Sequence, residues 1–433
     1  MNKKIVFTVV FLAFCALASA QDTSWSLTRC METGLQKTIE IKIRQLEIKR
    51  TQKSQNSVLN RMLPTVDLYG QQGYNFGSTI DPSTNGRVSS NIQNDNFYLN
   101  AKTNLIDFSA FANAKKDKIN IEQAKADVVV IENEYKLQIL DGYYQALYIQ
   151  ELLKIQKEQL KQASFNLDRI NKEVAIGSKS QSDLYDMQLS FSTEEIRNQE
   201  TEQLYAIKKT ELFQLMNIVD VATDEVILEP YLKEVNKDFD TELYNPKIKL
   251  AELNYQNSLQ LIGLERASNY PILSAYYGYS TFYYKNIKQA NANTDSFFNQ
   301  LEDNKSQQVG MQLSVPVFNG FRNNKKISAS KIAGDQAKLV VEQEKQLLEK
   351  QVILEEQNKR NYSQLQYKLI EKQKFARASF ATTQSKFTSG KVEAIVYSSV
   401  KNQSLSADFE VLKNNLQLQY INLKINLLRR NQL

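Results

Sequence analysis

Four stretches of the chain alternate apolar and polar side chains. Val66, Leu68, Gly70, Tyr74 and Phe76 fall on one side of an extended backbone, with Asp67, Gln71 and Asn75 on the other. Phe97, Leu99, Ala101, Thr103 and Leu105 oppose Asn100, Lys102 and Asn104. In the second half Leu273, Ala275, Tyr277, Tyr279 and Tyr283 share a face, as do Val309, Met311, Leu313, Val315 and Val317 against Gly310, Gln312 and Ser314. A period of two with one apolar face predicts strands, here over about 64–77, 96–107, 271–284 and 306–317. Each is about ten residues long, enough to cross a bilayer at a tilt. The segments between partners, Ser78 to Asp95 and Lys285 to Asn304, are rich in Ser, Asn, Thr and Asp and read as polar loops. Alternation alone leaves two readings open, a hairpin of a small soluble sandwich and a pair of transmembrane strands.

The period then changes. One apolar seam runs through Val128, Ile131, Tyr135, Gly142, Ala146, Ile149, Leu153, Leu160, Ala163, Leu167, Ile170 and Val174 in steps of three and four. That is the heptad of a left-handed coiled coil. Val341, Leu348, Tyr362, Leu369 and Ala376 keep a weaker seven-residue step, interrupted by Glu355. Helical hairpins are expected over 108–216 and 319–431. Unbroken helix from Ala110 to Ile176 would be ~100 Å long. Gly177 and Gly390 suit tight reversals, and Ser180 with Asp183 has the spacing of a capping box for the returning helix.

The two halves repeat one plan. "LIDFSAFANAKK" from Leu105 and "VPVFNGFRNNKK" from Val315 place Phe, Phe and Lys-Lys at the same spacing, 210 residues apart. Pro64 answers Pro271 at 207 residues and Gly177 answers Gly390 at 213. The order Pro, strand, polar loop, strand, Phe-x-x-Phe, long helix, Gly turn, long helix therefore occurs twice, the mark of tandem duplication. The first repeat is read as 21–218 and the second as 246–433, with strands and hairpins as above. Between them, 219–245 is acidic and breaks the heptads, and it is read as a small ordered belt rather than a free linker.

Composition adds the compartment. Lys3-Lys4, an apolar run from Ile5 to Leu17 and Ala18-Ser19-Ala20 read as a secretory signal over 1–20, too short to span as a membrane helix. A lipid-bearing Cys15 is the alternative, disfavoured by Phe14 immediately before it. Cleavage after Ala20 leaves Cys30 alone, without an intrachain disulfide. Mean hydropathy of −0.47 with 13 Gly and 6 Pro fits long solvated helices. With no histidine, the commonest general base and most zinc and copper ligand sets are missing. No catalytic, cofactor or metal site is expected. The formal charge of +6 is mixed along the sequence, without a basic stripe for nucleic acid.

The helix ending in Leu63-Pro64, the "SVPVFNGFRNNKK" strand exit and the Gly tip followed by "SQSDLYDMQ" resemble the TolC-type outer-membrane efflux proteins, over about Ser26 to Leu428. The resemblance implies a mainly α fold with a transmembrane β-barrel: tandem helix-strand-strand-helix repeats, four strands per chain in a trimeric twelve-stranded barrel, and a long periplasmic coiled-coil tunnel. It implies an outer-membrane location in a Gram-negative bacterium, contact with outer-membrane lipid, and a passive export duct. A periplasmic adaptor would grip the tips at Gly177, Ser178, Gly390 and Lys391, and a proton-driven or ABC-type inner-membrane pump would supply the energy. Acidic residues six and nine positions after the tip glycine can line the closed end in this family. Those positions are Asp183 and Asp186 in the first copy but Val396 and Ser399 in the second. A gate at Asp183 and Asp186 therefore stands beside a plainer reading, carboxylates favoured by a helix N-terminus. The alternative function is a non-conducting coiled-coil stalk, and conductance separates the two.

Overall fold

Two prolines mark where helix gives way to strand. Pro64 and Pro271 cannot donate to a helical ladder and disfavour helix in the residue before them, and strands begin immediately after, at Thr65 and Ile272. The computed structural model describes residues 24–80, 85–89, 91–218, 226–231, 244–287 and 295–432. The chain order is β1 (Ser24–Trp25), α1 (Leu27–Lys37), α2 (Ile39–Ser54), α3 (Val58–Arg61), β2 (Thr65–Asn75), β3 (Ser78–Ile80), β4 (Arg87–Ser89), β5 (Ile92–Ile106), α4 (Phe108–Ala175), α5 (Gln181–Leu215), β6 (Ile227–Leu228), α6 (Pro246–Ala267), β7 (Ile272–Asn286), α7 (Phe297–Asp303), β8 (Ser306–Ser314), α8 (Arg322–Thr388) and α9 (Ala394–Arg430). The signal and Cys15 lie outside the described residues, as does most of the belt at 219–245. Of the belt, 226–231 and 244–245 are described, and Ile227–Leu228 pairs in parallel with Ser24–Trp25.

The chain divides into two compact units, each drawing on both halves of the sequence. One comprises 47–125 and 251–342, the other the residues up to 46 with 126–250 and 343–433.

The first unit carries a four-stranded antiparallel sheet in the order β2-β5-β7-β8. Its register aligns Val66, Ala101, Tyr277 and Val309 across all four strands, and Asp67, Asn100, Gly278 and Gln308 in the next row. One face thus carries Val66, Leu68, Leu99, Ala101, Tyr277 and Met311; the other carries Asp67, Asn100, Gly278 and Gln308, with Tyr69, Tyr98 and Tyr276 among them. No second layer covers the apolar face at β2 and β8, where Leu68 is 75% and Val309 83% exposed. The outer edges of β2 and β8 have no strand partner among the described residues. Tyr276 lies flat over Gly310, where an added Cβ would come within 2.6 Å of its hydroxyl.

The strands differ slightly from the expected bounds, for local reasons. β5 starts at Ile92 because the polar Gln93–Asp95 stretch, which reads as loop, pairs with Gln72–Tyr74 and with Tyr283–Lys285. β8 ends at Ser314, two residues before Pro316. The segment read as the second polar loop contains α7. β7 outruns β8 beyond Ser280, and side chains of this segment complete it: Gln300 Nε2 donates to the Tyr284 carbonyl and its Oε1 accepts the Tyr284 amide, both at 3.0 Å. Asn304 Nδ2 donates to the Phe282 carbonyl at 2.9 Å.

The second unit is helical. Its main core joins Trp25, Leu27, Cys30 and Met31 to Ile139, Leu140, Tyr143 and Leu147 of α4, Leu212 and Phe213 of α5, and Leu423 and Leu427 of α9. The α4 seam widens here because α4 is packed on several sides. Gly34 permits the approach of α1, since a Cβ there would lie 2.7 Å from Ile139 Cδ1. Gln150 completes β6, accepting the Leu228 amide at 2.7 Å and donating to its carbonyl at 2.8 Å. The interruption of the second heptad seam at Glu355 is an ion pair, with Lys424 Nζ at 2.6 Å. Among the described residues no helix is long and apolar enough to cross a membrane.

Candidate functional site at the helix-hairpin tips

All the candidate site residues lie in the helical unit, where α4 turns into α5 and α8 into α9. Both reversals have one construction. The Ser178 amide donates to the Glu173 carbonyl (2.9 Å) and the Gly177 amide to Val174 (2.9 Å); Lys391 donates to Lys386 (2.8 Å) and Gly390 to Phe387 (3.1 Å). These are Schellman closures, which need a left-handed residue. Gly177 at φ +76° and Gly390 at φ +73° supply it without the strain a Cβ would bring. Ser178 and Lys391 stand exposed beside them, and the Ser178 hydroxyl donates to the Glu173 carbonyl at 3.0 Å. Ile176, Tyr185, Ile395 and Val396 are exposed apolar neighbours.

The two tips differ at the start of the return helix. Ser180 caps α5: the Asp183 amide donates to its Oγ at 3.1 Å, while its own amide (3.3 Å) and hydroxyl (2.8 Å) donate to the Asp183 carboxylate. Glu393 at the start of α9 makes no side-chain cap, and the Asp183 carboxylate faces the Ala394 amide, whose dipole favours the charged carboxylate. Partial burial works to raise the Asp183 pKa, but the Ser180 hydroxyl and amide, the Lys179 charge and the Ala394 amide outweigh it, so the carboxyl sits below its ordinary value. Asp186 is half-buried and has no hydrogen-bond or ionic partner among the described residues. Val396 is exposed, and Ser399 lines a shallow groove with Ile395, Ser398 and Asn402.

Beneath the tips is a small separate core of Ile170, Leu184, Met187, Phe387, Ala394 and Tyr397. Phe387 stacks on Tyr397 at 4.4 Å, and the Arg169 guanidinium lies over the Phe387 ring, 4.6 Å from its centroid. Asn166 Nδ2 donates to the Tyr397 hydroxyl at 2.8 Å.

Further along, Glu194 and Lys401 form a buried ion pair between α5 and α9 at 3.5 Å, with side chains 6% and 3% exposed. Burial presses Lys401 below its ordinary value, with Glu194 opposing. Sequence reasoning missed this pair, although the signal exists. Met187, Glu194 and Thr201 keep a seven-residue step, and Ala394, Tyr397, Lys401 and Ser404 a step of three and four, so both charges stand at core positions of their seams. No cluster of three or more His, Cys, Asp or Glu among the described residues is placed to hold a metal.

Residues 240–428 match the family model described as outer membrane efflux protein. Among curated proteins no match by sequence was found. Solved structures share the fold over almost the whole chain. The outer membrane protein VceC of Vibrio cholerae superposes with a TM-score of 0.74 at 13% identity, covering 93% of this chain and 94% of that one. The CmeC outer membrane channel of Campylobacter jejuni gives 0.74 at 12%, covering 93% and 84%. The open state of the MtrE outer membrane channel of Neisseria gonorrhoeae gives 0.69 at 13%, covering 94% and 89%.

Proposed function

We propose, from the match of residues 240–428 to the outer membrane efflux protein model, that the chain forms the outer-membrane channel of an export system in a Gram-negative bacterium. It is a passive duct that carries cargo across the periplasm and the outer membrane. The observation that carries this reading is the sheet with a bare apolar face, an amide-rich opposite face and two unpaired edges. Unpaired backbone groups cannot face hydrocarbon, so copies must join edge to edge until the sheet closes. Three copies in head-to-tail order give twelve strands, wide enough for an aqueous lumen lined by Asn100, Gln308 and their neighbours, with Leu68 and Val309 toward lipid.

The helical parts extend the duct on the periplasmic side. A periplasmic adaptor docks at the exposed tips, Gly177 and Ser178 on one hairpin and Gly390 and Lys391 on the other, and an inner-membrane pump of proton-driven or ABC type supplies the energy. Asp183 and Asp186 divide the labour of the closed end. Asp183 ties the two tips together, which its contacts to Ser180 and Ala394 support, and Asp186, lacking partners, carries the field that draws cations.

Single-channel recording of the purified protein in a planar bilayer tests the reading. Discrete conductance steps are expected. A protein that inserts but stays silent would be the non-conducting stalk.

A further inference from the structure

A passive duct leaves one repeated pattern without a task. Phe108, Phe111 and Lys115-Lys116 recur as Phe318, Phe321 and Lys325-Lys326, all in the sheet-bearing unit, where β5 and β8 lead into the long helices α4 and α8. The four phenylalanines are 45–76% exposed, far more than a packing role would leave them. Over the first three turns of α4 the exposed positions are Phe108, Phe111, Lys115 and Lys118, spaced three, four and three, which is one helix face. Exposed Leu105 and Ile106 precede them, so apolar surface runs from the strand end into the aromatic pair and then turns cationic.

The cations are not neutralised by the fold. Asp117 is taken by Arg61 at 2.6 Å, Asp107 by Ser109, and Glu122 by Lys125. Lys115, Lys116, Lys118, Lys325 and Lys326 have no ionic partner among the described residues. Arg322 is partly committed, its Nε donating to the Asn319 carbonyl at 3.0 Å.

We propose that these lysines bind the phosphates of anionic phospholipids in the periplasm-facing leaflet of the outer membrane, with the phenylalanines seated in the apolar boundary beside them. The proposal rests on the outer-membrane reading above and names the lipid that surrounds the channel's foot. Spacing supports it. At 1.5 Å per residue, Lys115 lies about 6 Å and Lys118 about 10 Å along the helix beyond Phe111. The headgroup layer on each side of a bilayer is about 5–7 Å thick, and lysine stems bend toward it. A soluble anion would use the lysines but leave the phenylalanines bare. Only a surface that is apolar on one side and anionic on the other uses both, and the duplication repeats the residues, with Phe318 and Phe321 standing in the turn just before α8 rather than on its face.

The test compares full-length protein in nanodiscs of phosphatidylethanolamine alone and of phosphatidylethanolamine with phosphatidylglycerol, followed by native mass spectrometry of lipids retained after gentle detergent release. Wild type should retain phosphatidylglycerol selectively, and less so as salt is raised. A lysine near an anionic surface contributes about fivefold in partition, so K115Q/K118Q/K325Q/K326Q should lose about tenfold or more of the selectivity. The corresponding all-arginine variant, which keeps charge, should retain it and guards against a merely misfolded glutamine variant. Equal selectivity in wild type and glutamine variant, or selectivity abolished by inorganic phosphate as competitor, overturns the proposal. Conductance of the same preparations reports on the channel reading alone, because these lysines lie outside the sheet.

Discussion

Removing the Asp183 carboxylate asks whether this residue shapes the tips. In Asp183→Ala, α5 loses the acceptor for the Ser180 amide and hydroxyl, and the start of α9, whose own cap residue makes no side-chain bond, loses the carboxylate facing its Ala394 amide. The Ser180 hydroxyl still accepts the amide of residue 183, so the loss is the reciprocal half of the capping box, about 0.5–1.5 kcal/mol for a hydrogen bond, and an acidic charge in a helix's first turn, about 0.3–1 kcal/mol. Asp183 is largely solvated, so screening reduces both, and about 1–2 kcal/mol of local stability is the expected loss. That corresponds to roughly 5–30-fold faster amide exchange in segments that open locally. Hydrogen exchange read by mass spectrometry should show it at neutral pH over 181–186 and, more tellingly, over 394–397 on the other hairpin. Wild-type exchange over 394–397 in the variant would refute the cross-hairpin cap. The pH dependence carries a sign. Because the folded pKa is lowered, the stabilisation is complete above the ordinary aspartate value and is lost as pH falls through the depressed one. Tip protection should therefore drop on the acid side in wild type and be flat there in the variant.

Lys401→Met removes the buried and nearer of the two cations at Glu194, leaving Arg197 at 3.9 Å, and should lower stability by at most about 3–5 kcal/mol, with Glu194→Met in the same chain restoring most of it; equal thermal midpoints for single and double variants would contradict this. Burial pushes the Cys30 thiol from 9.0 up to about 12, so between those values the unfolded chain loses a proton the folded one keeps, and stability should fall with rising pH, less steeply in Cys30→Ala by denaturant midpoint. Ser178→Trp with Lys391→Trp should abolish export in a cell assay while assembly and membrane delivery persist, and continued export would move adaptor docking elsewhere. Asp186→Asn should weaken cation selectivity in bilayer recordings, while Val396→Ala and Ser399→Ala leave it nearly unchanged.

Elements with a strong internal period were the legible ones. The apolar step along α4 and the alternation in β7 are dictated by burial on one face, and burial is what a pattern of side chains records. Where geometry comes from partners instead, the sequence is quiet. The Gln93–Asp95 run of β5 looks like a loop because its own side chains are all polar, although it pairs with Tyr283, Tyr284 and Lys285 on β7. The two-residue β1 and β6 have no pattern to display, and Gln150 had to be seen across 78 residues to explain how β6 is held. At the tips, Gly177, Gly390 and the Ser180–Asp183 spacing announce their local turns. The approach of the Ala394 amide to Asp183 joins two hairpins and could not be read from either.

The unlike edges of the sheet set a rule of inheritance for the assembly. In a head-to-tail ring every chain offers its β8 edge to one neighbour and its β2 edge to the other, so one chain with a spoiled edge spoils each ring it enters. A proline at Val309 or Met311 in one of two co-expressed gene copies would act dominantly. With equal amounts of both chains and random mixing, only about one-eighth of three-membered rings would contain sound chains alone. A defect confined to one hairpin tip would instead be shared among otherwise intact rings.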